Sequence, residues 1–474
     1  MVVLPYTIAF LLLSSLQTVK IANSQSFIGI NYGQVADNLP PPPSTAKLLQ
    51  STLIQKVRLY GSDPAIIKAL ANTGIGIVIG TANGDILGLA SDPNFAKSWI
   101  NTNVLPLYPA SNIILITVGN EVMTSNDQNL MNKLLPAMQN VQNALNDASL
   151  GGKIKVSTVH SMGVLKQSEP PSSGSFDPSY GDLMKGLLEF NSVNGSPFAI
   201  NPYPYFAYRS DTRPETLAFC LFQPNAGRMD GNTKIKYMNM FDAQVDAVYS
   251  ALNSMGFKNV EIVVAETGWP FKGDDNDVGP SIENAKAYNG NLIAHLRSMV
   301  GTPLMPGKSV DTYLFALYDE DLKPGPGSER SFGLFKTDLT MVYDVGLSTS
   351  SQTQPLAAVT QPLVLAAATN TSTSTTNNNS STSTSTTTGT GTSTSTSSST
   401  NNISISSGNG SNKVYLNRIF YLGLLYGFMG LSLICFFSFF WCFPGILTPF
   451  LKGEKSHSGF VATPPNKFNS QCAS

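Results

Sequence analysis

Two glutamates directly follow apolar segments that have the length of buried strands. Residues 113–120 (IILITVGN) precede Glu121, and residues 262–265 (IVVA) precede Glu266. A lone ionised carboxylate is costly to bury, so each glutamate must be solvated, paired or functional. Taken singly, each could cap the next helix or pair with a lysine. Taken together, one protonated and one ionised carboxyl could protonate a leaving oxygen and attack an anomeric carbon, which is the chemistry of glycoside hydrolysis.

The elements that must position these glutamates alternate between two kinds. Short apolar or β-branched runs are separated mostly by helical patterns, of which Phe241–Met255 and Ile282–Met299 are examples with apolar residues on one face. The runs are Phe27–Tyr32, Lys56–Leu59, Ile75–Ile79, Ile113–Val118, Lys155–Val159, Phe198–Asn201, Glu261–Ala265 and Thr312–Ala316. Eight strands alternating with helices over about 320 residues predict an α/β fold, a (β/α)₈ TIM barrel.

A doubly wound open sheet is the alternative fold. Against it, residues 27–33 contain no Gly-x-Gly-x-x-Gly turn, and the phosphate-loop motif is absent from the chain. In a barrel, active sites collect at the carboxyl ends of the strands. We expect the fourth and seventh strands to face each other across the ring, which would bring Glu121 and Glu266 to the ~5–5.5 Å separation of a retaining glycosidase.

Six segments of the body resemble the plant β-1,3-glucanases, family 17 of the glycoside hydrolases. They are residues 28–33 (IGINYG), 57–60 (VRLY), 118–121 (VGNE), 265–270 (AETGWP), 315–320 (FALYDE) and 333–335 (GLF). The resemblance spans about Phe27 to Leu347, and its most specific segment is the one that contains Glu266. It implies retaining endo-hydrolysis of internal β-1,3-glucosidic bonds in callose-like glucan, with Glu266 as nucleophile and Glu121 as acid and base.

The same resemblance implies roles for neighbouring polar residues. Glu320, Lys323 and Glu329 match a charged cluster that would keep Glu266 ionised and oriented, although an ordinary surface salt-bridge network is the alternative. Asn120 could donate a hydrogen bond to the sugar 2-hydroxyl, or it could simply cap the strand end.

Aromatic residues near the strand ends could stack on sugar rings. The candidates are Tyr32, Tyr203, Tyr205, Phe206 and Trp269. We expect substrate contacts from Tyr32, Tyr203 and Trp269, with core packing as the alternative for each. Phe271 and Lys272 stand where the family usually has a small polar residue, which affects the shape of the subsite beside the nucleophile.

Composition excludes several other classes of function. The 29 Lys+Arg and 30 Asp+Glu give a net charge of −1, so no basic face for nucleic acid is expected. Of the 4 cysteines only Cys220 lies in the body, and the 3 histidines form no metal motif. We therefore expect no cofactor, no metal, no nucleic-acid partner and a monomer whose partners are β-1,3-glucan and a membrane.

The two ends of the chain predict the compartment. Residues 1–24 have the pattern of a signal peptide, and the barrel is expected at 25–348. A Ser/Thr/Asn-rich linker at 349–418 carries sequons at Asn370, Asn378, Asn379, Asn402 and Asn409, and Asn194 is the sequon of the body.

The linker leads to an uncharged apolar run at 419–446, which is longer than the ~20 residues that span a bilayer, and then to a polar tail at 447–474. These features predict a plasma-membrane glycoprotein whose catalytic domain faces the cell wall. A glycolipid (GPI) anchor is the alternative to the spanning helix.

Two further functions stay open from the sequence. The first is a non-catalytic, membrane-tethered β-glucan-binding protein of the wall. Against it, both Glu121 and Glu266 are present, each in a matching segment. The second is a β-1,3-glucan transglycosylase, which uses the same covalent intermediate and differs only in whether water or sugar reaches it.

Overall fold

The eight predicted strands form one closed parallel barrel in the computed structural model, which describes residues 27–349. The strands are β1 (Ile28–Tyr32), β2 (Lys56–Leu59), β3 (Gly76–Thr81), β4 (Ile113–Asn120), β5 (Lys155–Ser161), β6 (Phe198–Asn201), β7 (Ile262–Thr267) and β8 (Asp311–Leu314). Each pairs with its neighbours in chain order, and β8 closes the ring on β1. The predicted (β/α)₈ fold is confirmed, and most strand bounds agree to within one or two residues.

One geometric expectation is wrong. Strands β4 and β7 are separated by β5 and β6, so they lie three positions apart in a ring of eight rather than directly opposite each other. Their carboxyl ends still open on the same side of the barrel because all the barrel pairings are parallel.

Ten helices occur in residues 27–349, and five of them begin after an Asp, Asn or Ser residue whose side chain caps the first turn. They are α1 (Pro42–Gln50), α2 (Pro64–Ala69), α3 (Ile86–Ser91), α4 (Pro93–Asn103), α5 (Gln128–Asp147), α6 (Gly181–Asn194), α7 (Pro204–Ser210), α8 (Pro214–Cys220), α9 (Met240–Ser254) and α10 (Ile282–Ser298). Side chains of Asp63, Asp92, Asp127, Asn239 and Ser281 cap α2, α4, α5, α9 and α10. The helices predicted at 241–255 and 282–299 are α9 and α10.

Two clusters of apolar side chains fill the interior of the barrel, beginning at the amino-terminal end of its strands. Phe27, Val78, Leu115, Val263 and Tyr313 form one inner cluster, and Val159, Ala199 and Ala265 form another. Gly29 makes room for Tyr313, because a Cβ at Gly29 would lie 2.4 Å from that ring. Packing at this end leaves polar side chains to occupy the carboxyl end, where barrel enzymes place their sites.

Three short antiparallel hairpins also occur in residues 27–349. They pair Leu165–Gln167 with Ser175–Phe176, Arg228–Met229 with Lys236–Tyr237, and Gly301–Thr302 with Met305–Pro306.

The predicted signal peptide at 1–24, apolar run at 419–446 and polar tail at 447–474 lie outside the described residues, as does the linker beyond its first residue. Within residues 27–349, no helix combines the length and apolar character needed to cross a bilayer.

Candidate active site

A cleft of about 610 Å³ lies at the carboxyl ends of the barrel strands. The predicted site residues that line it are Asn120, Glu121, Tyr203, Glu266, Glu320, Lys323 and Glu329. Its other lining residues include Tyr60, Phe206, Phe315 and Phe332. Residues as far apart in sequence as Tyr60 and Phe332 are thus brought together, because several strands and loops end at the same opening.

Glu266 is held by one donor at each carboxylate oxygen. The Nη1 atom of Arg58 lies 2.7 Å from Oε1, and the hydroxyl of Tyr203 donates to Oε2 at 2.9 Å. Glu266 is 8% exposed, and Arg58 is 1% exposed. An arginine and a hydroxyl that donate to the two oxygens fix the position of this carboxylate.

Arg58 connects Glu266 to three further strands. Its Nη2 donates to Asn120 Oδ1 at 2.8 Å, and its Nη1 donates to Asn31 Oδ1 at 3.1 Å. Asn31 in turn donates through Nδ2 to the carbonyl of Ala265 at 3.1 Å. Burial opposes the charge of Arg58, but Tyr60 and Glu266 outweigh it and keep the Arg58 pKa above its ordinary value. The network fixes the Glu266 carboxylate between β1, β2, β4 and β7.

Glu121 sits in a different environment at the end of β4. Gly119 has φ 68° and Glu121 itself has φ 55°, so the chain turns sharply here. The Glu121 carboxylate accepts from Asn201 Nδ2 at 2.7 Å. Burial, then the charge of Glu266, raises the pKa of Glu121, and the Asn201 hydrogen bond offsets part of that rise. A carboxyl with a raised pKa beside a second carboxyl that is fixed in position is an arrangement that suits an acid and a nucleophile.

Glu320, Lys323 and Glu329 form a group at the rim of the cleft. Lys323 Nζ lies 3.2 Å from Glu329 Oε2 and 4.4 Å from the Phe315 ring centroid. Glu320 Oε1 accepts from the Val35 backbone amide at 3.1 Å. Lys323 and Glu329 therefore form an ion pair, and Glu320 lines the same cleft, but the direct contacts that hold Glu266 come from Arg58 and Tyr203.

Asn120 is oriented by hydrogen bonds to its neighbours. Its Oδ1 accepts from Arg58, and its backbone exchanges two hydrogen bonds with the Asn83 side chain, at 2.8 and 3.1 Å. With Oδ1 engaged, the Nδ2 group of Asn120 is the part of the side chain that can serve as a donor in the cleft.

Two residues that were expected to contact the substrate, Tyr32 and Trp269, do not line the cleft. Tyr32 is 1% exposed and packs edge-on against Tyr318 at 5.7 Å. Trp269 is fully buried, stacks on Tyr208 at 5.9 Å, and donates through Nε1 to the carbonyl of Gly279 at 2.9 Å. Neither lines the cleft, so the expectation that they contact sugar is not met. An aromatic residue next to a strand end can point to either side, and these two point into the core.

Phe271 also packs away from the cleft. Its ring lies 6.4 Å from that of Tyr343, and its backbone amide donates to the Ser331 carbonyl at 2.9 Å. Neither Phe271 nor Lys272 is among the residues that line the cleft.

Sequence reasoning assigned no role to Arg58, Asn201, Asn31 or Tyr60. The available signal was Arg58 itself, a charged residue between Val57 and Leu59 of β2. A buried arginine needs a carboxylate or several acceptors, so its presence implies a partner on another strand. Which partner it meets depends on the strand order and register.

Comparisons with known proteins agree with this geometry. The family model "Glycosyl hydrolases family 17" matches residues 28–347. Glucan endo-1,3-beta-glucosidase 7 of Arabidopsis thaliana is 74% identical over 341 residues, which are 72% of this chain and 68% of that protein. Glucan endo-1,3-beta-D-glucosidase of Olea europaea is 65% identical over 361 residues, covering 76% and 78% of the two chains.

A solved structure shows the same fold. CJP38, described as a β-1,3-glucanase and allergen of Cryptomeria japonica pollen, superposes with a TM-score of 0.65 and 42% identity, covering 68% of this chain and 99% of that one. The family match spans the whole barrel and includes both cleft glutamates. This chain therefore belongs to glycosyl hydrolase family 17.

Proposed function

We propose that this glycosyl hydrolase cleaves internal β-1,3-glucosidic bonds of β-1,3-glucan by double displacement with retention. The observation that carries the mechanism is the contrast between Glu266, whose two carboxylate oxygens accept hydrogen bonds from Arg58 and Tyr203, and Glu121, whose pKa is raised in the same cleft. The names of the relatives supply the substrate class.

In the first step Glu266 attacks the anomeric carbon while Glu121 gives its proton to the glycosidic oxygen. The carbon–oxygen bond breaks, the shortened glucan leaves, and a glycosyl ester to Glu266 forms. In the second step Glu121, now ionised, takes a proton from water as that water attacks the same carbon. The ester breaks, Glu266 returns to its carboxylate, and the configuration is retained.

Neighbouring side chains support these steps. Asn120 Nδ2 would donate to the sugar 2-hydroxyl, a contact that strengthens in the transition state. Arg58 and Tyr203 would hold Glu266 in its attacking position, and Phe206, which is 41% exposed, offers an apolar face for a sugar ring. The group formed by Glu320, Lys323 and Glu329 would order the rim of the cleft and moderate the charge near Glu121.

Product analysis tests the function and separates the alternatives. The full chain is incubated with a linear β-1,3-glucan, and the first products are followed by chromatography and proton NMR. Internal cleavage with the β anomer formed first supports the proposal. An initial α anomer contradicts retention, binding without cleavage indicates a glucan-binding protein, and products longer than an added acceptor indicate transglycosylation.

We also propose that the barrel is a monomer delivered to the cell wall and attached to the plasma membrane through residues 419–446. The support is sequence pattern: the signal-peptide features of 1–24, the uncharged run at 419–446 and the polar segment that follows it. An epitope placed after Gln471 should stay with the membrane fraction, and phosphatidylinositol-specific phospholipase C should release nothing. Loss of the epitope with release of the barrel would establish a glycolipid anchor.

A further inference from the structure

A second groove, of about 520 Å³, lies between helices α5 and α6. Its lining is rich in carboxamides, namely Gln139, Asn140, Gln142, Asn143, Asn146 and Asn194. We call this surface the amide groove. Gly186 lets the two helices pack closely at this place, because a Cβ there would lie 2.8 Å from the Leu135 side chain. Glu189 is the one charged residue of the lining.

Several amides of this groove have unused hydrogen-bonding capacity, although Asn140 Nδ2 already donates to the Leu89 and Ala90 carbonyls. Gln139, Asn143 and Asn146 are exposed. Gln142 is only 6% exposed, and its Nε2 donates to Asn146 Oδ1 at 3.0 Å while its Oε1 accepts no hydrogen bond. A carboxamide offers donors and an acceptor on one short side chain, which suits the hydroxyls of a sugar better than a charged or apolar ligand.

The end of α6 places a glycosylation sequence at this groove. Asn194 is the last residue of the helix, Gly195 caps it at φ 57°, and Ser196 completes the sequon. Asn194 Nδ2 donates to the Phe190 carbonyl at 2.9 Å. Because the amide nitrogen carries two hydrogens, one can be replaced by a sugar while the other keeps this bond. Beside it, Val193 is 85% exposed and offers an apolar contact.

We propose that Asn194 carries an N-linked oligosaccharide whose first sugars lie in the amide groove. In the transfer, a polyprenyl-pyrophosphate-linked oligosaccharide is the donor: a bond forms between sugar C1 and Asn194 Nδ2, the bond from C1 to the phosphate oxygen breaks, and the pyrophosphate leaves while the amide proton passes to a base of the transferase. The modification rests on entry into the secretory pathway, as proposed above.

Covalent attachment explains why the Asn194 glycan would occupy the amide groove more fully than free glucan would. Each hydrogen bond between an amide and a hydroxyl contributes only about 1 kcal/mol net, so a free sugar would bind weakly. A sugar attached at Asn194 is held at an effective concentration in the ~mM range or above without any further contact. The amide groove begins at the attachment residue, and therefore needs only a few weak contacts to hold the glycan.

The test starts with site occupancy in the full chain, produced in an animal-cell host that adds no core α1,3-fucose. Peptide:N-glycosidase F in heavy-oxygen water marks each glycosylated asparagine for mass spectrometry. We expect Asn194 to be marked. An unmarked Asn194 with marked linker sequons overturns this proposal and leaves secretion standing, whereas six unmarked sequons overturn both.

Seating of the glycan is tested by its release from the native protein. The Gln139→Ala/Asn143→Ala variant removes two exposed groove amides, and Gln128→Ala/Asn132→Ala removes two exposed amides elsewhere on α5 as the matched control. Native release should be about tenfold faster from the groove variant than from the wild type, the effect of one or two net hydrogen bonds. The control should behave as the wild type, and all three should release alike after denaturation. Equal native release from the groove variant and the wild type overturns the proposal.

The Ser196→Ala variant distinguishes a glycan attached at Asn194 from free β-1,3-glucan as the sugar that occupies the amide groove. It abolishes the sequon while leaving Asn194 and the amide groove intact, and the buried Ser196 hydroxyl has no hydrogen-bond partner to lose. Hydrogen exchange in α5 and α6 should be unchanged when β-1,3-linked oligosaccharides are added to this variant. Protection of the groove by these free sugars would assign it to glucan and overturn the proposal.

Discussion

At the scale of single residues, the site depends on how Arg58 is shared. One guanidinium contacts Glu266, Asn120 and Asn31, which belong to three different strands. A planar fork of donors can hold several acceptors at fixed angles, whereas an ammonium group is a single point charge. Arg58 therefore orients both the proposed nucleophile and a proposed sugar-binding amide.

Arg58→Lys should lower kcat by about a hundredfold, the scale expected when a positioned donor of the transition state is lost. The charge near Glu266 is kept, but lysine cannot also hold Asn120 and Asn31. Steady-state kinetics on β-1,3-glucan measure the effect. Arg213→Lys, at an arginine whose side chain is 65% exposed, is the control and should leave kcat unchanged. An unaltered kcat in Arg58→Lys would remove Arg58 from the site's positioning network.

Asn201→Ala should shift the alkaline limb of the kcat/KM profile to higher pH. The Asn201 hydrogen bond stabilises ionised Glu121 and so lowers its pKa. Without it the acid stays protonated further into the alkaline range, by about half to one pH unit for a net bond of about 1 kcal/mol. Exposed Asn132→Ala is the control. A limb that stays in place, or moves to lower pH, would mean that Glu121 is not the group that titrates there.

Both glutamates could be identified from the sequence because each directly follows an apolar run of residues, where a carboxylate is unusual. It could not identify the Arg58–Glu266 pair, since that contact depends on how β2 and β7 are arranged in the ring. The expectation that Tyr32 and Trp269 contact sugar was not met for a related reason. Whether a side chain near a strand end faces the cleft or the helices changes with every residue, and the local sequence does not fix that direction.

At the scale of elements, a tight backbone contact lies just beyond the strand that carries Glu266. Gly268 follows β7, and a Cβ there would lie 2.1 Å from the carbonyl oxygen of Phe315. The Phe315 amide also donates to the Thr267 carbonyl at 2.8 Å, so the segments after β7 and β8 cannot separate freely. The strand pattern was readable from the sequence, but this backbone contact between distant segments was not.

Gly268→Ala should destabilise the protein by about 1–3 kcal/mol, because inserted atoms in a tight contact force the backbone to move. It should also lower kcat, since Glu266 is only two residues away. The matched control is Gly290→Ala in α10, where the new Cβ would lie 4.0 Å from the Val345 side chain, an ordinary van der Waals contact. The free energy of unfolding of that variant should rise by about 0.5–1 kcal/mol, because alanine leaves the unfolded chain less conformational freedom than glycine does. Thermal unfolding and kinetics measure both, and a neutral Gly268→Ala would contradict the packing argument.

At the scale of the whole molecule, stability should depend on a buried carboxyl that links outer elements. Asp246 of α9 is fully buried and accepts from the Tyr237 hydroxyl and the Leu304 amide, both at 2.9 Å. Burial is the largest cause that raises its pKa to about 6, and Asp242 adds to the rise. The folded pKa lies above the ordinary value, so the stability that this group contributes is present below about pH 4 and is lost as the pH rises through about 6.

Asp246→Asn keeps an oxygen for Tyr237 and Leu304 but cannot ionise. The free energy of unfolding of the variant, measured relative to that of the wild type, should rise by about 1–3 kcal/mol as the pH goes from 5 to 7.5. Thermal unfolding across this range measures the difference, and Asp147→Asn, at a side chain that is 65% exposed, should show no such trend. A difference that is constant with pH, or that shrinks as the pH rises, would contradict the sign derived from burial.

The central claim is that Glu266 forms the covalent bond to sugar, and trapping that bond tests it most directly. A 2-deoxy-2-fluoro laminaribioside with a good leaving group should inactivate the full chain. The fluorine slows both formation and hydrolysis of the ester, and the good leaving group speeds formation alone, so the ester accumulates. After tryptic digestion, fragment-ion mass spectrometry should place the sugar on Glu266 in the peptide 259–272. A sugar on Glu121, in the peptide 98–133, or inactivation without any covalent label, would contradict the account.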